Sequence, residues 1–295
     1  RALSLALAAI MLVGMMVVSA SAASYNDLTD KDQIVNKDAV SMLVSLGIIE
    51  GKPDGSYAPT ENVDRAQMAK MLSVIMNKGV DNSALYQSVN SGLTDITSHW
   101  AKGHINYCYT TGIIAGRGNG TFDPSATVTA LEAAKMLLVA VGYDPKIEGF
   151  EGADWAINVS VRADEQGIFE GFTKDLSAPL NRDDAALLIY NALDVEMIQS
   201  YTTNNYPIAY SDHRTILADN RSVIKVEGVV TANEWAILDD DTDTALQEGK
   251  TRIYNPDGIL STTGNTAVAQ DSSANVKTQV FNVSTPVDML GKAVT

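Results

Sequence analysis

The 295-residue sequence has one cysteine, Cys108, so it forms no intramolecular disulfide framework and no cysteine-based zinc cluster. Histidine is nearly as scarce: His99, His104 and His213 are scattered and give no His-rich metal site. Cations are few. The 21 Lys and Arg face 36 Asp and Glu, a net charge of −15, which makes the chain a poor general ligand for nucleic acid phosphate. No low-complexity tract is long enough for wholesale disorder. A long apolar run occurs once, at the very start. What is present is ordinary for globular protein, 45% hydrophobic residues in a length that allows about two domains.

Residues 1–22 form that run, apolar from Ala2 to Val18 and followed by the small-x-small site Ala20-Ser21-Ala22. This is the hydrophobic core and cleavage pattern of a secretory signal peptide. A membrane anchor is the other reading, but the Ala-Ser-Ala exit favours cleavage. The missing initiator Met and basic flank are read as a start inside a longer product. The expectation is an exported protein with no transmembrane span after cleavage, and the lack of disulfides suggests a bacterial surface.

The chain then repeats itself. The segment from Gly47 aligns without a gap to the segment from Gly112, pairing Gly51 with Gly116, Gly55 with Gly120, Tyr57 with Phe122, Pro59 with Pro124 and Met71 with Met136. A third, shorter copy starts at Gly167 and keeps Gly171 and Pro179 before rejoining at Leu180. Residues 34–46, 99–111 and 154–166 lack proline and predict first helices of roughly 20 Å. Gly47, Gly112 and Gly167 supply left-handed C-caps with apolar closures behind them. Asp54-Gly55 and Asn119-Gly120 mark tight turns. Asp64-x-x-Gln67 and Thr129-x-x-Glu132 are capping boxes that open second helices, and Asn181-x-x-Asp184 is a weaker one. One helical hairpin of this size cannot bury its apolar face alone, so the three are expected to pack together.

Arg65 and Arg182 stand at the first position of a second helix, where a cation meets the positive end of the helix dipole at a cost of about 0.3–1 kcal/mol. One reading is a surface Arg paired with a carboxylate. The other is an anion site built from the Arg and the free helix N–H groups, suited to a carboxylate on a sugar. The second copy has Ala130 here, so its site is expected to be weak or dead. Trp100 and Trp155 open the first helices and read either as core or as sugar-stacking platforms, while the first copy has Val35. Asp95 could cap the helix after Trp100, with Asp27 as its counterpart in the first copy; Asp154 is more ambiguous.

These residues resemble the S-layer homology family. Its pattern of an Asp, Trp-Ala, Gly-x-x-x-Gly-x-x-Asp-Gly-x-Phe-x-Pro and Thr-Arg-Ala-Glu is matched by Asp95, Trp100-Ala101, Gly112, Gly116, Asn119-Gly120, Phe122, Pro124 and Thr129-Ala130-Leu131-Glu132, and by Asp64-Arg65-Ala66-Gln67 and Asn181-Arg182-Asp183-Asp184. The resemblance covers about residues 24–198. It implies a mainly α fold, three helix-loop-helix repeats (24–80, 92–145 and 150–198) in a pseudo-threefold bundle with grooves between neighbours. It also implies non-covalent anchoring on the bacterial cell wall or S-layer through a secondary cell-wall polysaccharide ending in a pyruvylated amino sugar, or through modified peptidoglycan in some diderm relatives. Arg65 and Arg182 are then the best carbohydrate-binding candidates, with Trp100, Trp155 and Asp95 behind them. Ala130 and Val35 imply fewer than three working grooves.

Residues 205–295 are richer in Asn, Thr and Asp, with strand-like runs at Val223–Val230, Trp235–Leu238, Thr251–Tyr254 and Val276–Val283. A small β-rich module is expected, with its last residues reading like the start of another strand in a truncated chain. Asp239-Asp240-Asp241 with Asp243 read as a solvated acidic turn or a calcium ligand set. No Ser/His/Asp or Cys/His arrangement argues for catalysis, so the expectation is a binding protein without a cofactor or metal. The alternatives are an enzyme with its catalytic domain beyond residue 295, or a lattice-forming structural protein that self-associates.

Overall fold

The computed structural model describes residues 24–221, 228–238, 245–256 and 277–294. The expected signal peptide and the Asp239–Asp243 cluster lie outside the described residues. The chain divides into two compact units at Val195–Glu196.

In the first unit, three helix-loop-helix elements follow one another. Their first helices are α1 (Lys37–Ser45), α4 (Lys102–Thr110) and α6 (Trp155–Glu165); their second helices are α2 (Arg65–Met76), α5 (Ala130–Ala140) and α7 (Arg182–Leu193). A one-turn helix, α3 (Ser83–Tyr86), lies between the first two elements and rests on α4. The contact is so close that a Cβ on Gly103 would sit 2.1 Å from the Ser83 carbonyl oxygen. Each first helix stops for the same reason. Gly47, Gly112 and Gly167 take φ of +64°, +81° and +69°, and the next amide turns back onto the helix, Ile48 N–H to Leu43 O at 2.9 Å and Ile168 N–H to Ala163 O at 2.9 Å.

The second helices open as expected. Asp64 accepts from the Gln67 amide and Gln67 reaches back to the Asp64 amide; Thr129 and Glu132 do the same. Asn181 accepts from Asp184 without the return bond. The loop between helices is fastened by an aspartate that precedes it. Asp95 accepts from the Phe122 and Asp123 amides at 2.9 and 2.7 Å, and Asp30 accepts from the Tyr57 and Ala58 amides at 2.7 and 2.8 Å. This corrects two expectations. Asp95 does not cap a helix, since α4 begins after Ala101 with no side-chain cap, and its counterpart in the first element is Asp30, not Asp27. Asp27 instead closes a short 3-10 turn onto Ser24, its carboxylate accepting from the Ser24 amide.

The three elements are sewn together by their backbones. Val63 N–H donates to Leu180 O at 2.8 Å, Leu180 N–H to Val128 O at 2.8 Å, and Val128 N–H to Val63 O at 2.9 Å, a closed cycle of three buried residues. The helices pair in the same order: α2 with α4, α5 with α6, and α7 with α1. Tyr57 and Phe122 are buried beneath their loops, as the repeat pairing predicts.

The second unit has a hairpin, β1 (Ile198–Tyr201) with β2 (Pro207–Ala209), a short helix α8 (Ile216–Arg221), and a four-stranded antiparallel sheet in the order β5-β4-β3-β6. Its strands are β3 (Gly228–Asn233), β4 (Thr251–Tyr254), β5 (Thr278–Phe281) and β6 (Ala293–Val294). The expected run Thr251–Tyr254 is a strand, and Val276–Val283 contains one. Residues Trp235–Leu238 are a return turn, not a strand, tied to β3 by Asn233 N–H to Ala236 O and Leu238 N–H to Thr231 O. The cause is the buried Asn233, whose side-chain oxygen takes the Trp235 and Ala236 amides while its NH2 donates to Pro286 O. The hairpin and α8 were not foreseen.

Candidate functional site

A groove of about 630 Å³ runs between the three elements of the first unit. It is lined by the stretch Ile113–Gly118 that follows α4, by Glu132 and Lys135 of α5, by Glu151 and Trp155 at the start of α6, and by Arg65 from the start of α2.

Arg65 is not the free cation that the sequence suggested. It is only 4% exposed. Its Nε donates to Phe122 O and its Nη2 to Ala115 O, both at 2.8 Å, and its guanidinium lies over the Phe122 ring at 4.4 Å. Burial, aided by the nearby Arg117, lowers its pKa to about 10, so it remains charged at neutral pH. The helix N–H groups expected to complete an anion site are also taken. Arg65 N–H donates to Ala126 O, Ala66 N–H to Pro124 O, and Gln67 N–H to Asp64. The guanidinium pins the second element's loop to the first element's helix, and its Nη1 points towards Glu132 at 4.0 Å.

The cations that reach the groove with more freedom are Arg117 and Lys135. Arg117 pairs with Glu132 at 3.2 Å and with Asp123 at 3.6 Å. Lys135 donates to Phe150 O at 2.5 Å and lies over the Trp155 ring at 5.6 Å. Burial lowers its pKa, and Glu151 partly restores it. The groove therefore joins three cations, two carboxylates, the buried Phe150 and the half-buried Trp155 in a chain whose overall charge is strongly negative. Sequence reasoning missed Arg117 and Lys135, although Lys52 and Lys70 repeat their charge at the same 65-residue spacing.

Arg182 plays the Arg65 part between the third and first elements, with more exposure. Its Nε donates to Tyr57 O at 2.7 Å, its Nη2 to Glu50 O at 3.1 Å, and it lies over Tyr57 at 4.8 Å. Lys70 pairs nearby with Glu50 at 3.4 Å. Trp100 precedes α4, which packs on the helix that carries Lys70, and it is 56% exposed, beside His99 and His104. Neither Trp is core; Trp155 is half-buried. Asp95 faces the loop amides, not a groove. Burial opposes its ionisation, but the Phe122 and Asp123 amides prevail and hold its carboxyl below the usual range.

The two departures from the repeat pattern meet at the third junction. Ala130 is fully buried where Arg65 and Arg182 stand in the other elements, and the Leu131 amide beside it donates to Leu176 O in the third loop. Val35, 82% exposed in place of a Trp, donates its amide to Asp183 on α7. Both substitutions thus border the third element, and that junction lacks both the Arg and the Trp.

One cluster has the residue types of a catalytic triad but is buried between helices. Ser73 Oγ lies 2.6 Å from His104 Nδ1, and His104 Nε2 lies 3.7 Å from Asp81. Ser73 and His104 are buried between α2 and α4. The Ser73 hydroxyl is also within reach of Lys70 O at 2.9 Å, and when it donates there the imidazole donates to it and does not take its proton. Among the described residues there is no group of three or more His, Cys, Asp or Glu placed to hold a metal, and no helix long and apolar enough to cross a membrane.

The model of the S-layer homology domain matches residues 24–69 and 92–134. The chain is 27% identical over 256 residues to a cell surface protein of Thermoanaerobacter kivui, covering 86% of this chain and 30% of that one. It is 33% identical over 113 residues to an S-layer protein of Bacillus licheniformis, 38% of this chain and 12% of the relative. It is also 30% identical over 186 residues to an amylopullulanase of Thermoanaerobacterium thermosulfurigenes, 58% of this chain and 10% of the enzyme. The chain spans less than a third of the length of each of these relatives.

Proposed function

Because the chain is a cell-surface protein that carries S-layer homology domains, we propose that residues 24–198 are three such repeats in a pseudo-threefold bundle that holds a larger surface protein non-covalently on the bacterial cell wall. The ligand is an anionic secondary cell-wall polysaccharide with a pyruvylated amino sugar at its end. One observation carries the reading: Arg65, Arg117 and Lys135 converge with the Trp155 face in a single groove of a protein with net charge −15. Cations that match a carboxylate, next to an aromatic plane that matches the apolar face of a pyranose, are the chemistry of an acidic sugar site. The closed backbone cycle through Val63, Leu180 and Val128 supports the threefold arrangement. Two junctions keep the Arg and the Trp, so two grooves work and the one bordered by Ala130 and Val35 does not.

The described residues carry no catalytic function in this reading. An enzyme anchored by this region is the second reading, favoured by the similarity to an amylopullulanase and to an exoglucanase of Acetivibrio thermocellus. It places the chemistry in another part of a longer protein. The test is sedimentation of the purified chain with cell-wall sacculi, half of them stripped of secondary polysaccharide. Binding to intact walls alone is the expected result. Equal binding to both moves the partner to peptidoglycan, and binding to neither refutes the anchor.

A further inference from the structure

The third junction departs from the other two at more than Ala130 and Val35. Four positions of the repeat supply the first groove with its cations and aromatic face: Arg65, Arg117, Lys135 and Trp155. Between the third and first elements the same positions hold Arg182, Lys52, Lys70 and Trp100. At the third junction they hold Ala130, Phe172, Leu187 and Val35, so every cation and the Trp give way to an apolar side chain. Ala130 is buried, whereas Phe172 and Leu187 are half-buried and Val35 is exposed. They form one face. Leu187 lies against the loop at Gly171, where an added Cβ would stand 3.7 Å from its Cδ2, and the Phe172 ring is 6.2 Å from that of half-buried Phe169. The Val35 amide is held by Asp183 on α7. A contiguous exposed apolar face on an otherwise charged protein marks a contact surface.

We propose that this face docks a second copy of the same chain, the two copies meeting across a twofold axis through their third elements. The face offers no free cation to an acidic sugar, since Lys174 is paired with Asp184. A twofold contact sets one patch against itself, so Phe172, Leu187 and Val35 cover their own counterparts. Charge favours this occupant. A chain of net charge −15 repels its own copy at long range, but the rim of this face carries one charge of each sign. Glu170 is exposed and makes no ion pair among the described residues, and the Lys174 side chain is 57% exposed beside Asp184. Glu170 of one copy can therefore meet Lys174 of the other, twice in each dimer. So few apolar side chains make a small contact, and the pairing in free solution is weak. The inference goes beyond the anchoring reading and does not depend on it.

The test is sedimentation equilibrium of the purified chain without wall material. Apparent mass should rise with concentration towards that of a dimer. Leu187→Lys, which places a charge in the contact, should raise the dissociation constant about tenfold or more and leave Tm near that of the wild type. Glu170→Lys and Lys174→Glu should each weaken self-pairing, and an equimolar mixture of the two variants should restore it, since one then presents two cations and the other two carboxylates. A chain that stays monomeric at every concentration overturns the proposal. So does a dimer that survives Leu187→Lys, or a mixture that pairs no better than its components. None of these results touches the anchor, whose failure shows separately as loss of wall sedimentation.

Discussion

Replacing Arg65 by alanine separates a structural cation from a displayed one. The Arg65 Nε bond to Phe122 O is buried, and a bond from a charged donor contributes about 1.5–3 kcal/mol. The Nη2 bond ends on Ala115, an exposed residue, whose carbonyl regains water when the side chain is lost, so it contributes less. The guanidinium over Phe122 adds about 0.5–1 kcal/mol. Against these, removing a cation from a helix N-terminus returns about 0.3–1 kcal/mol. The balance is a loss of about 3 kcal/mol, which for a unit of this size lowers Tm by roughly 6–12 °C. Arg182→Ala should cost less, because Arg182 is more exposed and its second bond is longer. Differential scanning calorimetry of both variants measures this. Arg65→Ala melting with the wild type, while wall binding is lost, would refute the reasoning and restore the cation to a purely ligand-binding role.

Three other outcomes are expected. Asp95→Ala, which strands the Phe122 and Asp123 amides, should lower stability by about 2–3 kcal/mol in urea unfolding, and Asp95→Asn by less, since an amide oxygen can still accept. Trp155→Ala should weaken polysaccharide binding about tenfold with little change in Tm, because the ring is only half-buried and its partner Lys135 keeps the Phe150 carbonyl. His104 sets a pH dependence. Burial holds its pKa below 6.5 against the pull of Asp81, with Lys70 adding to the depression, so the unfolded chain binds the proton first. Stability should then be full above pH 6.5 and fall as pH drops towards the folded-state pKa, by at most about 1.4 kcal/mol per pH unit. His104→Gln should flatten that segment of the stability profile; an unchanged slope would show that another group titrates there.

The features legible in the sequence are those that a few neighbouring residues settle. Gly47, Gly112 and Gly167 end their helices because only glycine takes that φ cheaply, and Asp64-Gln67 and Thr129-Glu132 close capping boxes within one turn. The 65-residue repeat, with its family resemblance, likewise needed no coordinates. What the tertiary structure alone decided is where each repeated residue is used. Arg65 and Arg182 look alike in sequence, but one is buried against Phe122 and the other is more open over Tyr57. The helix N–H groups look free until the neighbouring loop carbonyls of Ala126 and Pro124 arrive from some sixty residues away. Asp30 and Asp95 serve their own loops, a bond that spans 27 residues and leaves no local signature. Ala130 and Val35 are far apart in the chain and border one element only because the first helix packs on the last. Local geometry is written in short-range sterics and hydrogen bonds. The partner of each exposed-looking polar group is chosen by how the three elements close on one another, and no single repeat contains that information.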